Sequence, residues 1–128
     1  MTTTEQMPAP RGKFSRVRTV SIGNTKFLYL SGMTSGGEAP FDIRKQSEII
    51  FRRMEQLLAE HGASLADLMK ITAFLTDIRE YDGYNEVRNR VFGMFPTPSA
   101  STSVGVTLLF PETRIEIEGI AVVEGRTS

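Results

Sequence analysis

The ten residues Arg114–Val123, RIEIEGIAVV, constrain the fold of this chain more than any other segment. Apolar and charged residues alternate there with the period of two that marks a half-buried β-strand. Ile115, Ile117 and, past Gly119, Ile120 and Val122 make up the apolar side. Glu116 and Glu118 share the opposite side. Thr102–Val106 reads as the strand before it, followed by a short connection ending in Pro111. A carboxylate on a strand is solvated, paired or at work in a pocket, and the pattern leaves all three open for Glu116 and Glu118.

The rest of the chain supplies the partners of that strand. Residues 1–13 are polar, carry Pro8 and Pro10, and predict a flexible arm ahead of one domain over residues 14–128. Phe14–Ile22 and Lys26–Ser31 predict two strands joined by the turn dipeptide Gly23-Asn24. Gly36-Gly37 marks a loop that lacks the Gly-Lys-Ser/Thr ending of a phosphate loop. Phe41–His61 predicts a helix with Asp42 as N-cap and Gly62 just past its end. Its apolar face is Ile43, Ile50, Met54, Leu57 and Leu58. Ser64 with Asp67 resembles a capping box opening a short helical turn, Leu65–Leu68. Lys70–Ile78 alternates as a strand, and Tyr81–Phe92 carries Tyr84, Val87 and Val91 at helical spacing. The expected order is β-β-α-β-α-β-β, a two-layer α+β domain with two helices on one sheet face. Several strands carry apolar residues on both sides, so the uncovered face predicts a homo-oligomer.

Composition removes several function classes. A length of 128 residues fits one domain with one core. Fifteen basic and fifteen acidic residues cancel, so no basic field for nucleic acid is expected. Cysteine is absent, which excludes disulfides, thiolate catalysis and cysteine metal sites and fits a cytoplasmic protein. A single histidine, His61, argues against a histidine metal cluster or a serine–histidine triad. No metal or other cofactor is expected. The N-terminal segment has no apolar core of a signal peptide, and no apolar run approaches the ~20 residues of a membrane span.

Several short segments taken together resemble one family. They are Leu30-Ser31-Gly32, the Gly83–Val87 segment GYNEV, Phe95-Pro96 and the Ile115–Val122 segment IEIEGIAV. In order and spacing over residues 14–123 they are similar to the RidA (YjgF) family of reactive-intermediate imine and enamine deaminases. The resemblance implies a chorismate-mutase-like fold and a homotrimer whose sheets pack around a central barrel. It also implies three intersubunit clefts, each taking a small-molecule substrate without a cofactor. The family's deaminases hold the substrate carboxylate with an arginine in a Pro-Ala-Arg-Ser-(Thr/Cys)-Val motif. Aligned on Val104-Gly105-Val106, Ser101 stands in that arginine's place. The family's tyrosine in Pro-Tyr-Ser corresponds to Phe14 in Lys13-Phe14-Ser15. Glu116 matches the strand glutamate, and Gly32 the glycine whose backbone faces the cleft. Pro10-Arg11-Gly12 with Phe14, Phe41-Asp42-Ile43-Arg44 and Gly83-Tyr84-Asn85 also resemble 2-aminomuconate deaminases of the same superfamily.

From this resemblance, Glu116 is the candidate catalytic group, activating water or moving a proton at a C=N carbon. It is expected nearer to Ser101–Ser103 than Glu118 is. Gly32, Ser101, Thr102, Ser103, Phe14 and Arg11 are the candidate substrate-binding residues. Exchanging a guanidinium for a hydroxyl removes a grip on carboxylate worth roughly 1.5–3 kcal/mol. A neutral substrate is therefore expected unless another arginine compensates. Arg11, Arg16, Arg88, Arg90 and Arg114 are available, and Arg11 on the Pro-Arg-Gly arm is the favoured one. Tyr84 reads as core, Asn85 as bonding to a neighbouring loop, and His61 as suited to a helix C-terminus. Two function classes stay open: a deaminase of a small imine, enamine or related unsaturated metabolite, and a non-catalytic small-ligand-binding or protein-interaction trimer.

Overall fold

The structure is a computed structural model that describes residues 9–10, 12–107 and 110–125. Its elements follow the expected order: β1 (Val17–Ile22), β2 (Thr25–Met33), α1 (Ile43–Ala59), β3 (Leu68–Leu75), α2 (Tyr81–Phe92), β4 (Ala100–Gly105) and β5 (Ile115–Glu124). The strands form one sheet in the order β1-β2-β5-β3-β4. β3 and β4 are parallel, with α2 in the crossover between them, and the other pairs are antiparallel. β5 enters the middle of the sheet, between the hairpin and β3. Arg11 and the arm over residues 1–8 lie outside the described residues.

Local chemistry sets most of the boundaries. The β1–β2 hairpin closes on Gly23, whose φ of +59° suits a residue without Cβ. Asp42 caps α1 by accepting from the Lys45 N–H at 3.1 Å. The helix starts at Ile43 rather than Phe41, because Phe41 is left-handed at φ +63° and Asp42 is extended. It ends at Ala59 rather than His61. Ala63 N–H reaches back to the Leu58 carbonyl across left-handed Gly62, and the Lys26 ammonium donates to the His61 carbonyl at 2.6 Å. The Asp67 carboxylate accepts from the Ser64 N–H at 2.8 Å, as the capping pair predicts. β3 stops at Leu75, three residues short of its predicted end. Asp77 accepts from the Arg79 N–H there and opens a 3-10 turn, Ile78–Glu80. α2 spans the residues predicted for it.

The core lies between the helices and one sheet face. Ile50, Met54, Leu57 and Leu58 of α1 and Tyr84 and Val87 of α2 pack there with Leu28, Leu30, Ile71, Ala73, Leu75, Ile115, Ile117 and Ala121. Gln46 is fully buried at the edge of this layer and ties two loops together. Its amide donates to the Ala39 and Glu112 carbonyls at 3.0 and 2.9 Å and accepts from the Arg114 N–H at 2.8 Å. That network holds the strained turn in which Ala39 and Phe41 both have positive φ.

One expectation about β5 is corrected. Ile120 and Val122 do not join Ile115 and Ile117 but share the opposite face with Glu116 and Glu118. The alternation runs unbroken through Gly119, which pairs with Leu30 on one side and Ile71 on the other. Gly119 occupies a core-facing position. A Cβ there would lie 3.1 Å from Leu68 Cδ2 and 3.3 Å from Met54 Cε. The face away from the helices therefore combines Phe27, Tyr29, Phe74, Ile120 and Val122 with Glu116, Glu118, Lys70 and Thr72. No helix among the described residues covers it, and Val20, Ile22 and Tyr29 stand exposed on it.

Candidate active site

Gly32 and Glu116 meet on the open sheet face. β2 and β5 pair regularly from Thr25 opposite Glu124 to Leu30 opposite Gly119. The register then slips, and Met33 faces Ile117 with one extra residue on β2. This bulge brings Gly32 against the glutamate: a Cβ on Gly32 would lie 2.1 Å from Glu116 Oε2 and 2.9 Å from its Cδ. The Glu116 carboxyl makes no hydrogen bond or ion pair among the described residues, and it is half-buried. Loss of solvent, helped by the charge of Glu118, raises its pKa above the ordinary carboxyl value. A half-buried carboxyl that no cation neutralises is chemically able to take a proton and return it. Beside it, Phe14, Arg16, Ser31, Gly32 and Arg53 line a pocket at the end of β2. Phe14 is half-exposed, and Ser31 Oγ donates to the Ser15 carbonyl at 2.7 Å.

A second pocket lies at the other edge of the sheet, between β4 and α2. Tyr81, Arg88, Ser101, Ser103, Ile78 and Val104 line it. The Arg88 guanidinium donates to Ser101 Oγ at 3.2 Å, to the Tyr81 hydroxyl at 3.1 Å and to the Asn85 side-chain oxygen. It also stands over the Tyr84 ring, 5.3 Å from the centroid, and near the Tyr81 ring at 5.8 Å. The Tyr84 hydroxyl is buried there and makes no hydrogen bond of good geometry. Burial raises its pKa, and the nearby Arg88 and Ser101 oppose that rise.

The register separates residues that the sequence places in one cleft. Ser101 and Ser103 pair with Ile71 and Ala73 and so face the helix side, whereas Glu116 faces the open side. Thr102 faces the open side and accepts from the Lys70 ammonium. Its row across the sheet is Glu118–Thr72–Thr102, and the row of Glu116 runs through Phe74 to Val104. Within one chain, then, Glu118 and not Glu116 shares a row with the hydroxyl segment. Two strand spacings, about 10 Å, separate β5 from β4. Among the described residues no group of three or more His, Asp or Glu side chains is placed to hold a metal ion.

Comparison with known proteins places this architecture. The family model described as Endoribonuclease L-PSP matches residues 4–123. The chain belongs to the RidA (YjgF) family. It is 32% identical over 126 residues to a RutC family protein of Pyrococcus abyssi, covering 94% of each chain. It is also 32% identical over 122 residues to a 2-iminobutanoate/2-iminopropanoate deaminase of Dermatophagoides farinae, covering 91% of each. Among solved structures, Escherichia coli TdcF with bound serine superimposes with a TM-score of 0.76. That match is at 28% identity, over 91% of this chain and 93% of TdcF. These RidA-family likenesses agree with the α+β fold expected from the sequence.

In this RidA-family chain the candidate residues fall into two half-sites. In one, Gly32 meets Glu116 and also lines the pocket of Phe14, and Ser101 and Ser103 line the other. Thr102 stands on the open face between them, and Arg11 lies outside the described residues. The sequence reading underrated Arg88 and passed over Tyr81. Helical spacing carries the signal that finds them, since positions 81, 85 and 88 are i, i+4 and i+7 on one face of α2. Asn85 accordingly bonds to its own helix rather than to a neighbouring loop.

Proposed function

We propose that this chain is a cofactor-independent deaminase that hydrolyses the C=N bond of a small imine, reached directly or by protonation of its enamine at carbon. The observation that carries the reading is the unpaired, half-buried Glu116 carboxyl with its raised pKa, set against a glycine on an uncovered sheet face. In the ionised form Glu116 takes a proton from water as the water oxygen bonds to the imine carbon. The C=N electron pair moves to nitrogen, which takes up a proton from solvent. The protonated carboxyl then gives its proton to the amine; as the C–N bond breaks the hydroxyl oxygen forms the carbonyl and releases its proton to solvent, leaving a carbonyl compound and ammonia. Gly32 leaves room for that carboxyl to lie against the β2 backbone. The half-site on β4 and α2 is supplied by a second copy of the chain across the open face, as in a trimer with intersubunit clefts. The iminobutanoate and iminopropanoate deaminase among its relatives, and the serine bound to TdcF, support a small, amino-acid-sized substrate.

The test is imine hydrolysis with the substrate generated in place by an amino-acid oxidase and semicarbazide trapping what escapes. Wild type is expected to suppress the trapped product, and Glu116→Gln to lower kcat by a factor on the order of 10² to 10⁴ with folding and assembly intact. Unchanged turnover in Glu116→Gln would exclude carboxylate catalysis on β5. Ligand binding without turnover of any imine would favour the non-catalytic trimer.

A further inference from the structure

We propose that Arg88 is the anion-recognition residue of this chain, and that the pocket between α2 and β4 takes the carboxylate of a short aliphatic acid. The site stands on its own geometry, and its role in substrate choice rests on the imine-hydrolase reading. Five other arginines are paired with carboxylates: Arg44 with Glu86, Arg53 with Glu38, Arg79 with Asp77, Arg90 with Glu48 and Arg114 with Glu80. Among the described residues Arg88 has no such partner. Three neutral oxygens fix it instead, those of Ser101, Tyr81 and Asn85, so its charge is held in place without being neutralised. A guanidinium pinned in this way loses little freedom when an anion arrives, and its planar fork suits a carboxylate.

The surroundings complete the site. Ser101 and Ser103 add hydroxyl donors on one wall. The fully buried Tyr84 hydroxyl makes no hydrogen bond of good geometry among the described residues, though Arg88 and Ser101 lie close enough to act on it. A buried hydroxyl left without a partner costs about as much as a lost hydrogen bond unless a ligand or water meets it. Ile78, Leu75 and Val104 form the apolar wall. Gly105 lets that wall close in, since a Cβ there would lie 2.6 Å from Ile78 Cγ2. One cation, several hydroxyls and a short apolar wall fit a monoanion with a small hydrocarbon tail. This reverses the expectation of a neutral substrate, which follows from Ser101 alone. The charge absent from β4 is present on α2, one hydrogen bond away from Ser101.

The experiment titrates 2-oxobutanoate, its methyl ester and inorganic phosphate into wild type, Arg88→Met and Arg88→Lys, read by calorimetry and NMR. The acid is expected to bind wild type, and the ester at least tenfold more weakly. Arg88→Met should lose about ten- to a hundredfold in affinity for the acid, and Arg88→Lys should recover part of that loss. Equal binding of acid and ester by wild type would overturn the proposal even if Arg88→Met fails to fold. So would acid binding untouched by Arg88→Met, or binding of phosphate without the acid. The imine assay separates this inference from the reading beneath it. Arg88-dependent acid binding with no hydrolysis sinks the hydrolase alone, and hydrolysis with an unchanged KM in Arg88→Met sinks the anion site alone.

Discussion

At the scale of single residues, Glu116 is expected to make stability depend on pH. Its folded-state pKa is raised, first by lost solvent and then by Glu118. Native protein therefore holds that proton more tightly than the unfolded chain does. Below the ordinary carboxyl value both states are protonated, and this group costs the fold nothing. As pH rises through the raised pKa the native state must ionise an unpaired carboxyl, and stability falls. Glu116→Gln removes the charge, so its melting temperature is expected above that of wild type at pH 8. The two curves should converge below pH 4.5, the reference value for this carboxyl. Thermal melts at both ends of that window check this, and a variant less stable than wild type at pH 8 would contradict it. The carboxyl would then be stabilised by its surroundings rather than strained by them.

At the scale of elements, the bulge in β2 and one face of α2 do the positioning. The bulge brings Gly32 to Glu116, and the atoms a new Cβ would meet belong to the flexible end of that side chain. Gly32→Ala is therefore expected to fold with a melting temperature close to wild type while pushing the carboxyl out of place. A fall in kcat of at least about tenfold should result, as misplacement by about 1 Å often costs more than that. An unchanged kcat would mean that the carboxyl works from another rotamer. Most element boundaries were legible beforehand, because caps and turns are local chemistry: Asp42 at Lys45, Asp67 at Ser64, Gly23 in the hairpin. The three-residue overrun of β3 came from reading alternation through Thr76 and missing Asp77 as a cap. The bulge was not legible. A register slip depends on what lies opposite, and Leu30-Ser31-Gly32-Met33 alone carries no sign of the β5 residues it meets.

At the scale of the whole molecule, the two half-sites lie on different faces and edges of one sheet, and the open face keeps Val20, Ile22 and Tyr29 exposed. In the proposed trimer, burying such a face against further copies would remove apolar surface from water and bring α2 and β4 of one chain to Glu116 of another. Three copies of 14.2 kDa give about 43 kDa, the mass expected in sedimentation or light scattering. Tyr29→Asp on that face should yield folded chains of single-copy mass with imine hydrolysis lost. Full activity in a monomeric Tyr29→Asp would show that one chain holds a complete site.

The sequence by itself determined the order of the elements, the faces of β3 and α2, and the presence of Glu116 on a strand next to apolar core positions. Period and capping are properties of neighbours along the chain, so one sequence is enough to read them. Only the tertiary structure decided that β5 lies between β2 and β3, that alternation continues through Gly119, and that Ser101 turns away from Glu116. It also brought Arg88 to Ser101. Those outcomes depend on which strand lies alongside which, and a periodic pattern states what shares a face without naming the partner across the sheet. The raised pKa of Glu116 has the same origin, since the loss of solvent that drives it belongs to the packed sheet and not to the segment that carries the glutamate.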